Sequence, residues 1–399
     1  MIKHPPLTGL TVLELGQFVA GPFCTRLLAE FGATVIKLEQ PGTGDPLRTW
    51  RLMAGGTSLW WYVQARNKKS VTLDLRTEAG QELARELAGH ADIVVENFRP
   101  GTLEGWGLGW ERLHALYPHL IMVRISGYGQ DGPDREKPGF GNVGEAVGGL
   151  RYVTGFPDRP PVRSGVSLGD TLAGLYGALG AVMAAYNRDA SGSRRGQMID
   201  VALYEAVFSI MESLIPEYDR FGYVRERTGN RLPGVSPSST YACGDGQYVA
   251  IGANGDSIFR RFMAAIGRGD LGEDPRFRSN EGRAAHADLL EHAIEQWAAS
   301  RASDEVLAVC EEAGTPAGRI YTAADMVNDP QYLAREMIRT VMLPDGPVRM
   351  PGVVPKLSET PGDIRWPGPA LGEHTEEVLR EMLGLSGEQI AALRARKVV

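Results

Sequence analysis

Asp170 stands in the run Ser164-Gly-Val-Ser-Leu-Gly-Asp170, directly ahead of the uncharged stretch 172–186. A carboxylate facing a buried, glycine-rich helix is costly to desolvate, so it must serve either the structure or a reaction. As a structural group it would be an N-cap, accepting first-turn amide hydrogens at the positive end of the helix dipole. As a reactive group it would be a nucleophile that takes an acyl group from one carrier and hands it to another. Its position alone leaves both readings open.

Other constellations compete for the chemistry. Gly165-Val-Ser-Leu-Gly169 matches the G-x-S-x-G nucleophile elbow of serine hydrolases. That elbow needs a buried strand leading into it, whereas Asp158-Arg-Pro-Pro-Val-Arg-Ser164 is polar and broken by proline. Glu39 lies where a ribose-binding acid would sit, but Gly16-Gln-Phe-Val-Ala-Gly21 lacks G-x-G-x-x-G spacing, so NAD or FAD is not expected. The histidines show no HExxH and the three cysteines no CxxC, so no metal is expected either. A basic group, Arg48, Arg51, Arg66, Lys68 and Lys69 with Arg76 and Arg99 beyond, reads as a solvated loop or as a seat for a polyphosphorylated ligand.

The elements that must position these residues alternate. Residues 10–15 read as a strand, 23–31 as a helix and 33–39 as a strand, with Pro22 suited to a first helical position. The pattern continues with a strand at 70–75, a helix at 77–89 and strands at 92–97 and 120–126. Such alternation predicts an α/β, doubly wound domain around an open, mostly parallel sheet. Residues 172–186 are shorter than a membrane span and read as a core helix, with no membrane expected. Beyond residue 220 the character shifts to a hairpin about Asp245-Gly246 and helices at 256–266, 283–299 and 303–313, a smaller α+β domain. The expected division is 1–220, 221–329, and a Pro-rich arm with a final helix, 330–399, returning to the first domain.

Composition bounds the function. Hydrophobic content of 43% and charged content of 23% are those of a globular chain. Its 50 glycines exceed the roughly 28 that average usage gives, pointing to tight turns and close backbone approaches. A net charge of −7 argues against nucleic acid as partner. Three scattered cysteines and an N-terminus without an apolar h-region suit the cytoplasm.

Taken together, several segments resemble the class III CoA-transferase family, the formyl-CoA transferase and carnitine CoA-transferase group. They include Val19-Ala-Gly-Pro-Phe-Cys-Thr25, Phe31-Gly-Ala-Thr-Val-Ile-Lys-Leu-Glu39, Arg66-Asn-Lys-Lys-Ser-Val71 and Glu96-Asn-Phe-Arg-Pro-Gly101. Ser126-Gly-Tyr-Gly-Gln-Asp-Gly-Pro133, Lys137-Pro-Gly-Phe140, Leu168-Gly-Asp170, Gly196-Gln-Met-Ile-Asp-Val-Ala-Leu203, Thr315-Pro-Ala-Gly318 and Leu371-Gly-Glu-His-Thr375 follow in order. The resemblance implies a Rossmann-like large domain, a small domain and an interlocked homodimer. It implies that Asp170 is the nucleophile, passing through aspartyl anhydride and aspartyl-CoA thioester intermediates. Its substrates would be an acyl-CoA, such as succinyl-CoA or another short dicarboxyl-CoA, and a free carboxylic acid.

Family positions for CoA contacts map onto Val19 and Ala20, onto Leu73, Asp74, Leu75 and Arg76, onto Asn97, Phe98 and Arg99, and onto Lys137. Gln40 and Gly105 stand where the family often has basic residues, which turns attention to Arg48 or Lys68. Val19 replaces a Gln typical of formyl-CoA transferases, against a formyl/oxalate specificity. Gly169 and Gly252-Ala-Asn-Gly255 are candidate oxyanion donors. An α-methylacyl-CoA racemase of the same superfamily is the mechanistic alternative, but its Gly-His-Asp segment is absent, the chain reading Pro138-Gly-Phe-Gly-Asn-Val143. A non-catalytic CoA-binding protein is disfavoured by the intact Asp170 and its small neighbours.

Overall fold

The structure, a computed structural model, describes residues 4–399. It divides into two compact units. The first comprises the chain up to Leu150 together with Ser164–Glu212 and Pro330–Val399; the second comprises Arg151–Arg163 and Ser213–Asp329.

The first unit is built on six parallel strands: β1 (Thr11–Glu14), β2 (Thr34–Glu39), β3 (Lys68–Thr72), β4 (Ile93–Glu96), β5 (Ile121–Ser126) and β6 (Met198–Ala202). Their spatial order is β3-β2-β1-β4-β5-β6, the order of doubly wound nucleotide-binding sheets, with its switch point between β1 and β4. Strands covered on both faces read as unbroken apolar runs, and every residue of β4 and β5 is buried. The edge strand β6 escapes that pattern because exposed Asp200 interrupts it.

One face of the sheet is covered by α1 (Ala20–Glu30) and by α5 (Leu168–Ala190), the other by α2 (Glu78–Gly89) and α3 (Trp110–Leu116). Between them in the chain lies the short α4 (Gly141–Val147). Pro22 is the third residue of α1, not its first, yet still within the turn whose N–H groups lack helical partners. Close packing of α5 on α1 depends on small residues. A Cβ at Gly174 would lie 2.6 Å from the Ala20 carbonyl oxygen, and one at Gly177 would lie 3.3 Å from Cys24 Sγ. The two helices therefore bring their N-termini, Ala20 and Leu168, to the same side of the sheet.

The expected core helix is longer and more exposed than its sequence suggests. It spans 23 residues and contains an 18-residue window of mean hydropathy 1.3, long and apolar enough to cross a membrane by length and composition. Its Ala173, Gly174, Gly177, Ala181 and Ala184 face is buried on the sheet. Leu175, Leu179, Val182, Met183 and Tyr186 form an exposed apolar stripe on its outer side.

The terminal arm belongs to the first unit. It contains a hairpin, Ile338–Leu343 with Gly346–Pro351, that the proline-rich sequence concealed. Its extended part then returns along β3. Trp61 Nε1 and Arg48 Nη1 donate to the Pro369 carbonyl at 3.0 and 3.1 Å, and the Asp74 amide donates to the Val398 carbonyl at 2.8 Å.

The second unit has a three-stranded antiparallel sheet: β7 (Ser238–Ala242), β8 (Tyr248–Gly252) and β9 (Ala317–Arg319), with β8 central. Gly246 at φ 78° closes the β7–β8 hairpin. The expected helix at 283–299 is two helices, Asn280–Ala285 and Ala287–Ala299, broken at His286. This unit starts at Ser213 rather than 221 because Arg225 ties the helix Leu214–Phe221 to the chain that follows. Arg225 Nη2 reaches Ser213 Oγ and Glu217 Oε1 at 3.0 and 2.7 Å. Residues 151–163 join it through the Tyr152 hydroxyl on Glu226 (2.6 Å) and the Gly229 amide on the Gly155 carbonyl (2.9 Å).

Candidate active site

A cavity of about 160 Å³ opens beyond the carboxyl ends of β1, β4 and β5, at the switch point of the sheet. Residues 17–20 supply one wall, 97–100 another and 125–127 the floor, with residues 137–140, Asp170 and Leu203 completing it.

Asp170 is the third residue of α5; the N-cap is Ser167, whose side chain makes no capping bond. The N-cap reading is therefore corrected: the carboxylate sits inside the first turn, near the positive helix end, and lines the cavity. It lies against Gly141, the first residue of α4, where a Cβ would collide with the carboxyl group. Glycine is required there because the two helix starts meet with no room for a side chain.

Ser167 follows a loop and no strand, so the hydrolase elbow has no scaffold. The Gly169 amide, an expected oxyanion donor, is engaged instead by Glu145 Oε1 at 3.2 Å. Gly252-Ala-Asn-Gly255 lies in the second unit, where the Gly252 amide donates to the Pro316 carbonyl and Gly255 caps the helix Asp256–Ala265. The titratable cavity residues are Arg99, Lys137 and Asp170. No histidine, the group a racemase would couple to its aspartate, is among the residues lining this cavity.

The first turn is held by a buried charge network. Glu14 accepts from Thr25 Oγ1, Lys37 Nζ and Lys68 Nζ at 2.5, 2.7 and 2.8 Å. Lys37 also donates to the Gly16 carbonyl (2.7 Å) and pairs with Asp45 (2.8 Å), while Lys68 donates to the Pro22 carbonyl (2.7 Å). Both ends of the turn are thus pinned from beneath. Burial alone would raise the Glu14 pKa, but the two ammonium groups outweigh it and hold it at about 2. Burial brings Lys68 down to about 8 against the pull of Glu14, with repulsion from Lys37 adding to the fall. Above the network, Asn97 clamps Gln17: its Oδ1 accepts the Gln17 amide at 2.8 Å and its Nδ2 donates to the Gln17 carbonyl at 2.9 Å. Phe18 adopts φ 63°, a strained conformation outside glycine, with its amide donating to Asp45 at 3.2 Å. Its ring meets Trp50 and Phe140 at 5.2 and 6.3 Å.

The mapped residues separate into two groups. Val19, Ala20, Asn97, Phe98, Arg99 and Lys137 line the same cavity as Asp170. Lys137 is exposed and paired with Asp134 at 2.8 Å, which raises its pKa. Leu73, Asp74, Leu75 and Arg76 do not line it; they follow β3, two strands from β1. There Arg76 forks onto Asp74 with both bonds at 2.9 Å, and this contact holds the Asp74 carboxyl down at about 2.

Three members of the basic group prove to be internal. Lys68 is fully buried on Glu14, Arg66 is buried on Glu30, and Arg48 is buried on Glu39 and stacked 3.7 Å over Trp61. Arg48 and Lys68 are therefore unavailable as substitutes for the cations missing at Gln40 and Gly105. Sequence reasoning missed Phe18, Phe140 and Gly141, since aromatic and glycine residues carry no chemical signature of a site, and Gln17, whose backbone is held by Asn97, 80 residues away. Among the described residues, no cluster of three His, Cys, Asp or Glu side chains converges as a metal site.

The profile of CoA-transferase family III matches residues 7–375. The chain belongs to that family. It is a CoA-transferase. It is 53% identical over 396 residues, covering 99% of this chain and 98% of the relative, to succinyl-CoA–D-citramalate CoA-transferase of Chloroflexus aurantiacus. It is 44% identical over 399 residues to the beta subunit of succinyl-CoA–L-malate CoA-transferase from the same organism, covering 99% of this chain and 98% of the relative. A crystal structure of a CAIB/BAIF family protein from Brucella suis superposes with a TM-score of 0.84 at 35% identity, covering 95% of this chain and 100% of that one.

Proposed function

We propose that this CoA-transferase moves CoA from succinyl-CoA to a short hydroxylated dicarboxylic acid, with Asp170 as nucleophile. The observation that supports the nucleophile is a first-turn carboxylate that lines a cavity at the sheet's switch point. The choice of substrates is supported by the two Chloroflexus relatives, whose names share succinyl-CoA as donor and a hydroxydicarboxylate as acceptor.

In the proposed reaction an Asp170 oxygen attacks the thioester carbon, forming a succinyl–aspartyl anhydride and releasing CoA thiolate. The thiolate attacks the aspartyl carbonyl, expelling succinate with one former Asp170 oxygen and leaving an aspartyl thioester. The acceptor carboxylate repeats the sequence in reverse, taking CoA and restoring Asp170 with one of its own oxygens. An ionised carboxylate needs no general base, and exclusion of water preserves the anhydride. Val19, Ala20, Asn97, Phe98, Arg99 and Lys137 would hold the reactive arm of CoA, and residues 73–76 its far end. The exposed Arg76, Arg99 and Lys137 are the cations offered to its phosphates.

A matrix of acyl-CoA donors against carboxylate acceptors tests this. Succinyl-CoA with citramalate or malate should give the highest kcat/KM, well above formyl-CoA with oxalate. A preference for formyl-CoA, or α-proton exchange without an acceptor, would overturn it.

The partner that covers the outer stripe of α5 is proposed to be a second copy of the chain, in an interlocked homodimer. Sedimentation should give a dimer that persists on dilution, and Leu179→Glu with Met183→Glu should disrupt its assembly. A wild-type monomer would contradict this. The three cysteines are buried and free, in keeping with a cytoplasmic enzyme.

A further inference from the structure

Four N–H groups at a helix start need partners outside the helix, and α5 does not draw one from the side chain of its own N-cap, Ser167. Glu145 serves instead. It sits on α4, is 1% exposed, and accepts the amide of Gly169, the residue directly before Asp170. Gly169 has no side chain to interfere: a Cβ there would lie 2.7 Å from the Gly141 carbonyl oxygen and 3.2 Å from Glu145 Cγ. Gly141 in turn bears on the Asp170 carboxyl. Residues 141, 145, 169 and 170 thus interlock two helix starts.

We infer that Glu145 is a positioning residue for the transfer, capping α5 from the neighbouring helix and so fixing the turn on which Asp170 lines the cavity. The inference rests on Asp170 being the nucleophile. Without the Glu145 acceptor, the first turn of α5 loses its tie to α4, and the Asp170 carboxyl is displaced from its attack position. Uniform substrate binding is untouched, because Glu145 is absent from the cavity wall.

The test compares Glu145→Ala, Glu145→Gln, Glu145→Asp and Asp170→Ala using succinyl-CoA and citramalate. Glu145→Ala should lower kcat about 10²-fold, the cost of roughly 1 Å of misplacement, with KM for succinyl-CoA held within about threefold. Glu145→Gln keeps an acceptor oxygen and should stay within about tenfold of wild type, as a neutral bond replaces a charge-assisted one. Wild-type kcat in a folded Glu145→Ala, or equal losses in the Ala and Gln variants, overturns the inference. If the Ala variant does not fold, Glu145→Asp decides: it keeps the charge but falls short of the amide, so wild-type kcat there overturns it. Retention of activity by Asp170→Ala would instead sink the nucleophile reading, so the two failures are distinguishable.

Discussion

Asp170→Ala loses CoA transfer by about 10³-fold or more, the scale on which removal of a covalent nucleophile is felt. Its fold persists, because a first-turn carboxylate contributes about 0.3–1 kcal/mol through the helix dipole and Glu145 still caps the turn. Asp170→Asn keeps the shape and loses the reaction, since the neutral amide is a feeble nucleophile and cannot reform the anhydride. Asp170→Glu is the more discriminating change. Its extra methylene drives the carboxyl into the space that Gly141 leaves open, so about 10²-fold of kcat goes with the attack geometry. Circular dichroism and steady-state kinetics on the three variants separate lost chemistry from lost structure. Full activity in Asp170→Ala together with loss in Ser167→Ala would restore the serine hydrolase.

Glu14→Gln has the largest expected effect on stability. Glu14 is wholly buried between two lysines, and among the described residues it is the carboxylate that Lys68 pairs with. Breaking a buried pair by removing one charge costs about 3–5 kcal/mol, measurable as a drop in the urea midpoint at unchanged slope. The pH dependence follows from the same carboxylate. Its folded pKa of about 2 lies below the ordinary 4.5, so the unfolded chain binds the extra proton first as pH falls. Glu14 therefore contributes fully above about pH 4.5, and the contribution disappears as pH falls toward 2. The acid limb should be shallower in Glu14→Gln; identical limbs would show that the network carries no such load. Because Lys37 and Lys68 hold the Gly16 and Pro22 carbonyls, the variant should also bind acyl-CoA more weakly.

The alternation of strands and helices was legible because both-face burial leaves mainly apolar runs in β2, β4 and β5, broken inside by Lys37 and Arg124, which are buried in ion pairs. The edge strand β6 was not, since Asp200 interrupts its run to accept the Gln130 amide at 2.8 Å. Lys68 and Lys69 read as loop residues because Glu14, the partner that makes Lys68 internal, stands 54 residues away. A charge's neighbours across a parallel sheet cannot be read from its neighbours in the chain. Asp170 was identifiable as a carboxylate before a helix, but the acceptor for the neighbouring Gly169 amide, Glu145, stands 24 residues upstream of Gly169 on another helix. Phe18 and Phe140 carried no chemical signature of a site in the sequence; both line the cavity, one with a strained backbone and the other with an exposed ring.

Covalent transfer through Asp170 is tested most directly by adding succinyl-CoA without acceptor, quenching with hydroxylamine and sequencing the peptides by mass spectrometry. The expected product is a hydroxamate on the Asp170 side chain, formed in proportion to the succinate released and missing from Asp170→Asn. A hydroxamate or acyl adduct on Ser167, or turnover with Asp170 unmodified, would contradict the account.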